Sequence, residues 1–594
     1  MEYIICFVCA VLTLCVGIFF TYVLLKKNKV TQIQPFNYLI ASVFLSGICV
    51  FIPIYLDLFK EESLAWVKTV LLSIHNAIRL FIVDGDFNII HENITAENVL
   101  VSTPYTILAA ILFVIAPILT FTVILSLIKN IYAYGAFLIA FNRDIYVFSE
   151  LNEESIALAN SLKSNKKTSK IVYTDVYREN NENSNVLIQK SKKLKGILFQ
   201  NSIEYIDYRF HSKRRKIVFF LIGKDELENI REARLLIDTY KNRGDVELYV
   251  FSKNYEGELI LTDVDSGKLK VRRINAEQKF IDHYLYEEGT NIFDKAKTID
   301  AEHKQIRIAI VGIKEFGYYM FKSLIWFCQM IGYEVHINIY EEDVKYIEKL
   351  YSECPELFDD KINSNPVQGK EKYNIKIIKC ISFENKDFYQ SMVRFEPTFT
   401  FVSLENDSEN IHISVNLRSL FEQNHLYPQI VSICSDAYIN NGLCDIHNFS
   451  GQSYKIDFIG STAEVYSIKS VSDSKLEDEA LARHLKWGEE EAFWKYEYNY
   501  KSSIALTIHS KMKKYCGVPG VDKKESELTE NERDILERLE HRRWNAYMRS
   551  EGFVYSGSRD SRTRNNLGKM HNNLLPYDLL SEDDKRKDSV LSTK

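Results

Sequence analysis

The sequence predicts an α-helical membrane anchor, then an α/β region of two tandem doubly wound domains, then a small, mostly helical C-terminal module. Three observations carry this reading. Apolar runs of membrane length are confined to the first 130 residues, short apolar strands alternate with amphipathic stretches from about 144 to 459, and long polar helical sequence follows. A chain of 594 residues has room for several domains. The formal net charge of -6 gives no reason to expect nucleic-acid binding. Aromatics make up 13% of the residues while Gly and Pro are few, which suits packed cores rather than disordered sequence. The ten cysteines form no paired framework. Cys6 and Cys9 make a CxxC inside an apolar run with no second pair, so reduced thiols are expected and no metal site is.

Residues 4–25, 37–57 and 104–128 each hold enough apolar length to cross ~30 Å of hydrocarbon. The first is preceded by MEY and followed by KKNK, the reverse of a signal peptide, so it reads as an anchor with Lys26, Lys27 and Lys29 on the cytoplasmic side. Three spans place the N-terminus outside and everything after about residue 130 in the cytoplasm, giving a multi-pass membrane protein in contact with lipid. Between spans two and three, residues 64–83 form an amphipathic helix with Lys68, His75 and Arg79 on one face. It either lies flat at the outer surface or lines a pathway once several copies assemble. Pro117, in the middle of the third span, needs no special role.

Strands are expected at 144–148, 170–174, 195–199, 216–222 and 246–251, with amphipathic runs such as 226–244 between them. The rhythm repeats at 306–311, 335–340, 375–380, 398–403, 428–433 and 455–459, with a boundary near residue 300. Alternating strands and helices imply parallel sheets covered on both faces, here in domains of about 140–300 and 303–470. In the second copy the first strand runs into VGIKEFGYYMF, where Gly312 and Gly317 hold the first and third places of a GxGxxG turn and Lys314 replaces the middle glycine. Glu341 ends the next strand, where a dinucleotide site would place an acid for a ribose hydroxyl. In the first copy FSELNEESIALA has no glycine, although Asp175 still ends its second strand. Gly312, Lys314, Gly317, Glu341 and Asp175 are therefore the candidate cofactor-binding residues.

On these features both domains resemble the TrkA-N type of Rossmann-like nucleotide-binding domain found in regulators of potassium uptake. That resemblance implies a nucleotide ligand, NAD-derived or cyclic, and leaves open the alternative that the sheets persist as a dimerisation scaffold. No side chain is marked out as a catalytic acid or base, so no enzyme activity is expected.

A helical connector is expected over 474–520, where Trp487, Trp494, Tyr498 and Tyr500 crowd together, a pattern that reads as interdomain packing rather than a cofactor box. GVPG at 517–520 then opens a module over 524–594. Its run ERLEHRRWNAYMRSEGFVYSGSRD, with KMHNNLLPYDLLSEDDKRKD, resembles the Ryr domain, the repeat named after ryanodine receptors. The matching elements are Glu540-His541, Arg543-Trp544-Asn545, Gly552, Tyr555, Gly557, Arg559-Asp560, Lys569, His571, Pro576-Tyr577, Leu579, Lys585 and Asp588. Asn572 departs from the proline usual there, and SRTRNN before Lys569 is an unusual basic insert.

Arg543, Trp544, Arg559, Lys569 and His571 are the candidate ligand-binding residues of this module. A basic loop that includes Arg562 and Arg564 suits phosphate, while Trp544 offers either a stacking face or core volume. The full arrangement resembles bacterial proteins of nucleotide-centred conflict systems. It implies a homo-oligomeric sensor of a small nucleotide-type signal whose membrane part perturbs or opens the bilayer in antiviral defence. The alternative is an NAD- or ATP-responsive regulator of potassium or other cation transport.

Overall fold

The computed structural model describes residues 2–26, 34–82, 84, 85, 87–94, 99–165, 168–176, 184–209, 211–253, 257, 260, 261, 264–358, 373–436, 438, 439, 442, 455–472 and 475–585. Lys27, Lys29 and Asp588 lie outside these residues. The chain divides into two compact units, residues 1–141 with 197–201, and 142–196 with 202–594.

The first unit contains α1 (Glu2–Lys26), α2 (Gln34–Leu58), α3 (Ala65–Phe81), α4 (Phe87–Ile94) and α5 (Val99–Ile139). Segments Glu2–Tyr22, Tyr38–Leu58 and Val101–Thr122 are long and apolar enough to cross a membrane. In hydrocarbon every backbone polar group must be paired within its own helix, which suits uninterrupted helices of this length. Gly17 lets α1 approach α2 closely, since a Cβ there would lie 2.0 Å from Ser42 Oγ. Ser46 donates across the same contact to the Ala10 carbonyl at 2.9 Å. Outward-facing side chains such as Leu12, Phe19 and Val114 remain exposed, as a lipid-facing surface requires.

Helix α5 is longer than the expected span. Its 41 residues reach about 60 Å, and Pro104 and Pro117 both stand inside it. Helix α3 buries a small polar face, Thr69, Ser73, Asn76 and Ala77, and turns Trp66, Leu71 and Ile78 outward. Of its three basic residues, Lys68 pairs with Glu62, Arg79 pairs with Asp84 at 3.1 Å, and His75 is exposed.

After the spans come β1 (Ile145–Phe148), α6 (Glu153–Asn165), β2 (Lys170–Tyr173), α7 (Ser184–Lys193), β3 (Ile197–Leu198), β4 (Ile217–Leu221), α8 (Glu226–Tyr240), β5 (Val246–Phe251) and β6 (Lys270–Ile274). They form a six-stranded sheet in the order β3-β2-β1-β4-β5-β6. β6 was not expected from the sequence: KVRRI carries three cations in five positions and lacks the apolar run that marks a buried strand. It pairs parallel with β5, Tyr249 opposite Arg272.

Helix α9 (Ala276–Glu288) leads to β7 (Lys297–Thr298), β8 (Lys304–Val311), α10 (Glu315–Phe327), β9 (Tyr333–Glu341), α11 (Val344–Glu353), β10 (Asn374–Lys379), α12 (Lys386–Phe395), β11 (Phe399–Val402), α13 (Asp407–Gln423), β12 (Gln429–Ile433) and β13 (Ile456–Ile459). This sheet runs β10-β9-β8-β11-β12-β13, with β7 antiparallel on the start of β8. Each sheet therefore has its first strand between its second and fourth, with parallel neighbours on either side. That is the Rossmann-like order, whose switch point lies beside the first strand.

Helices α14 (Lys475–His484), α15 (Glu490–Lys495) and α16 (Glu497–Tyr515) form the connector. The last module is built on α17 (Glu530–Ser550), which Thr529 and Glu532 start with a capping box. A short parallel pair follows, β14 (Val554–Tyr555) and β15 (Met570–His571).

Candidate functional site

The glycine turn of the second domain has the backbone of a nucleotide site, and two of its donors are held by side chains of the fold. Gly312 sits at φ +82°, and a Cβ there would meet the Ser403 carbonyl at 2.3 Å. A Cβ on Gly317 would meet the Gly312 carbonyl at 2.1 Å, so both glycines serve the close passage of α10 over β8. A pyrophosphate would need the turn's backbone N–H groups. Here Glu341 is buried, with Oε2 accepting from Ile313 N at 2.8 Å and Oε1 from Glu342 N and Asp343 N at 2.9 Å each. Ser403 Oγ accepts from Gly317 N at 3.2 Å. Lys314, the N-cap residue of α10, reaches away to Glu405 at 2.8 Å. The acid in the ribose position thus closes the turn upon itself.

The first domain closes the same turn without glycine. Asn152, the residue before α6, accepts from Ser155 N at 2.8 Å and donates to the Ile222 carbonyl at 2.8 Å. Ser155 Oγ in return accepts from Asn152 N at 3.0 Å. Asp175 lies half-buried just past β2 at φ +47°. A cavity of about 220 Å³ remains at the carboxyl ends of β1, β4, β5 and β6, the usual ligand position of such sheets. Within its wall Lys253 pairs with both Glu277 and Glu315 at 2.8 Å. Burial disfavours that ammonium, but the two carboxylates outweigh burial and raise its pKa.

In the C-terminal module the structure brings Trp544 and His571 together and holds Arg543 and Lys569 in other contacts. Trp544 is half-buried, with His571 edge-on at 4.9 Å and His541 stacked at 5.8 Å. Arg543 is fully buried instead, bound to Glu540 at 2.7 Å, with Lys513 at 3.4 Å from the same carboxylate. Burial would raise Glu540, but Arg543 and Lys513 hold its carboxyl below the ordinary range. Lys569, at φ +49°, donates to the Glu551 carbonyl at 2.9 Å. Arg559 and Arg564 are exposed on the loop, and Arg562 is exposed and paired with Asp560 at 2.5 Å. The module docks on the second domain through buried charge: Arg549 holds Glu356 at 2.9 Å, whose other oxygen accepts from Tyr555 N at 2.6 Å.

The roomiest described cavity was missed by sequence reasoning. It measures about 450 Å³ and lies between β6, the turn before it, and the connector helices. A neighbour of about 270 Å³ opens on the outer face of the first sheet, and Lys270 and Arg272 line both. On that face Phe220 stacks on Tyr249 at 5.0 Å. The Arg272 guanidinium lies 5.5 Å from the Tyr249 ring and 3.7 Å from the Trp494 ring. The aromatic crowd at 487–500 was the available signal, and it read as packing.

One wall of the cavity begins a line of buried ion pairs. Arg273 binds Glu497, which binds Lys501 at 2.8 Å; Lys501 lies 3.9 Å from Glu551, and Glu551 binds Lys322 at 2.8 Å. Burial would raise Glu551, but Lys322 and Lys501 outweigh it and hold the carboxyl at about 2. Among the described residues, no group of three or more His, Cys, Asp or Glu side chains is arranged to hold a metal. No protein-family model matches the chain, and no curated protein matches it either.

Proposed function

We propose that this chain is a membrane-anchored sensor and effector for a nucleotide-type signal, acting by a change of state and not by a reaction of its own. The observation that carries the reading is the buried ion-pair line, which ties β6 of the first domain, the connector, α10 of the second domain and the end of α17 into one charged core. Buried pairs of this kind tolerate few intermediate geometries, because each broken pair strands a desolvated charge. A ligand binding one arrangement more tightly than another would therefore shift the cytosolic domains as a set. In the chain, residues 140–144 join α5 to β1.

The spans, with the N-terminus outside and the domains in the cytoplasm of a bacterial cell, would then open or perturb the membrane in a homo-oligomer. The likeness of the last module to Ryr domains points the same way, towards defence against phage.

The test uses the full chain in proteoliposomes loaded with a self-quenched dye, and in cells carrying a potential-sensitive dye. Dye release on adding ADP-ribose, a cyclic dinucleotide or ATP, and depolarisation only during infection, are the expected results. Constant permeability, together with an altered potassium requirement on deletion, would replace this reading with the cation-flux regulator. A new nucleotide product on chromatography would replace it with an enzyme.

A further inference from the structure

We infer that the signal binds in the cavity between β6 and the connector, as a phosphate-bearing ligand of nucleotide size held by Arg272 and Lys270. The inference deepens the sensor reading and rests on it for any consequence at the membrane; the binding itself is measurable without that consequence.

Arg272 carries the argument. A guanidinium has five N–H donors in a plane. In this structure that group is fixed by Tyr249 at 5.5 Å and Trp494 at 3.7 Å, and one N–H donates to Tyr249 Oη at 3.3 Å. Among the described residues it makes no ion pair, although its charge acts on Glu247 and Glu477. Its neighbours on the cavity wall differ: Arg273 is bound to Glu497, and Lys279 to Glu477 at 2.5 Å. Lys270 lies two residues away on the same side of β6, opposite Glu247 of β5, is exposed, and makes no ion pair among the described residues.

An arginine clamped by aromatic rings with most of its donors unused is preorganised for a bidentate oxyanion, and a second cation beside it favours phosphate over a single carboxylate. The cavity volume of about 450 Å³ lies in the range that holds a drug-sized ligand. Trp494 and Tyr500 supply the aromatic wall against which a base would rest. Glu490 and Glu491 on α15 also line it, and as acceptors they suit sugar hydroxyls. Because Arg273 and Glu497 share this wall, an occupant would press directly on the first link of the ion-pair line.

The test is calorimetric titration of the full chain in lipid nanodiscs with ATP, ADP-ribose, cyclic di-AMP and pyrophosphate, each against wild type, Arg272→Gln, Lys270→Gln and Trp494→Leu. At least one nucleotide is expected to bind in the micromolar range or tighter. Arg272→Gln should weaken it tenfold or more, and the exposed Lys270→Gln, which leaves the core untouched, about three- to tenfold. Trp494→Leu should weaken a nucleotide more than pyrophosphate, because it removes the wall for the base as well as one side of the Arg272 clamp. The inference is overturned if nothing in the panel binds, if Lys270→Gln and Arg272→Gln both bind as wild type does, if pyrophosphate binds as tightly as the nucleotides, or if Arg559→Ala abolishes binding that Arg272→Gln leaves intact. Binding that follows the expected pattern without dye release from proteoliposomes would retain this site and remove the effector reading.

Discussion

The two sheets share one strand order and differ in what they leave available. In the second domain the turn above β8 keeps its glycines, yet its donors are spent on Glu341 and Ser403. In the first domain the turn above β1 has no glycine and is spent on Asn152 and Ser155. In both crevices, side chains of the fold hold part of the backbone N–H set that a pyrophosphate would use. The outer face of the first sheet, by contrast, opens on a cavity lined by Lys270 and Arg272, which make no ion pair among the described residues.

The sharpest way to break this comparison is Gly312→Ala. A Cβ 2.3 Å from a carbonyl oxygen at φ +82° has no room to relax, so the second domain should lose about 3 kcal/mol or more. Hydrogen exchange of the β8 and α10 peptides would read that loss, and near-wild-type protection would show that the turn is not under this constraint.

Next in size is Asp282 on α9, the helix between the sheets. Burial pushes its carboxyl up to about 7 from an ordinary 3.8, against the lowering effect of Lys501. A raised folded pKa means that the native state holds the proton longer, so its contribution is present at low pH and fades as pH rises towards 7. Between pH 5 and 8 the opening free energy around α9 should fall by about 2–3 kcal/mol. In Asp282→Asn that fall should vanish, and an equal fall in both proteins would assign it to another group. The partners on the ion-pair line have the opposite sign. Glu551, held at about 2, contributes above its ordinary value near 4.5 and loses that contribution only in stronger acid.

Asn152→Ala tests the first turn and should cost about 1–2 kcal/mol, the size of a lost helix cap, in exchange at α6. Lys314→Ala should cost under about 0.5 kcal/mol, because Glu405, its partner, is exposed. If Lys314→Ala instead abolished binding of NAD or ATP, the second crevice would be a nucleotide site and the comparison would invert.

Much of the architecture was legible in the sequence. The three spans and eleven of the strands announced themselves because membrane length and buried apolar runs are local properties of composition. β6 hid because a strand at the rim of a cavity carries charge where a core strand carries valine. Arg543 was a candidate ligand residue because it stands beside Trp544 in the Ryr-like run. Only the approach of Glu540 along α17, with Lys513 from α16, makes its burial possible.

The sequence by itself determined three helices of membrane-crossing length, two parallel sheets and a helical end, since each follows from periodicity within a few turns of chain. Which groups remain free to act was decided by tertiary contacts between distant residues. Glu341 closes on Ile313 across 28 positions, Arg549 on Glu356 across 193 and Arg273 on Glu497 across 224. A donor or a charge is available only if nothing else in the fold reaches it first, and that competition has no signature in local sequence.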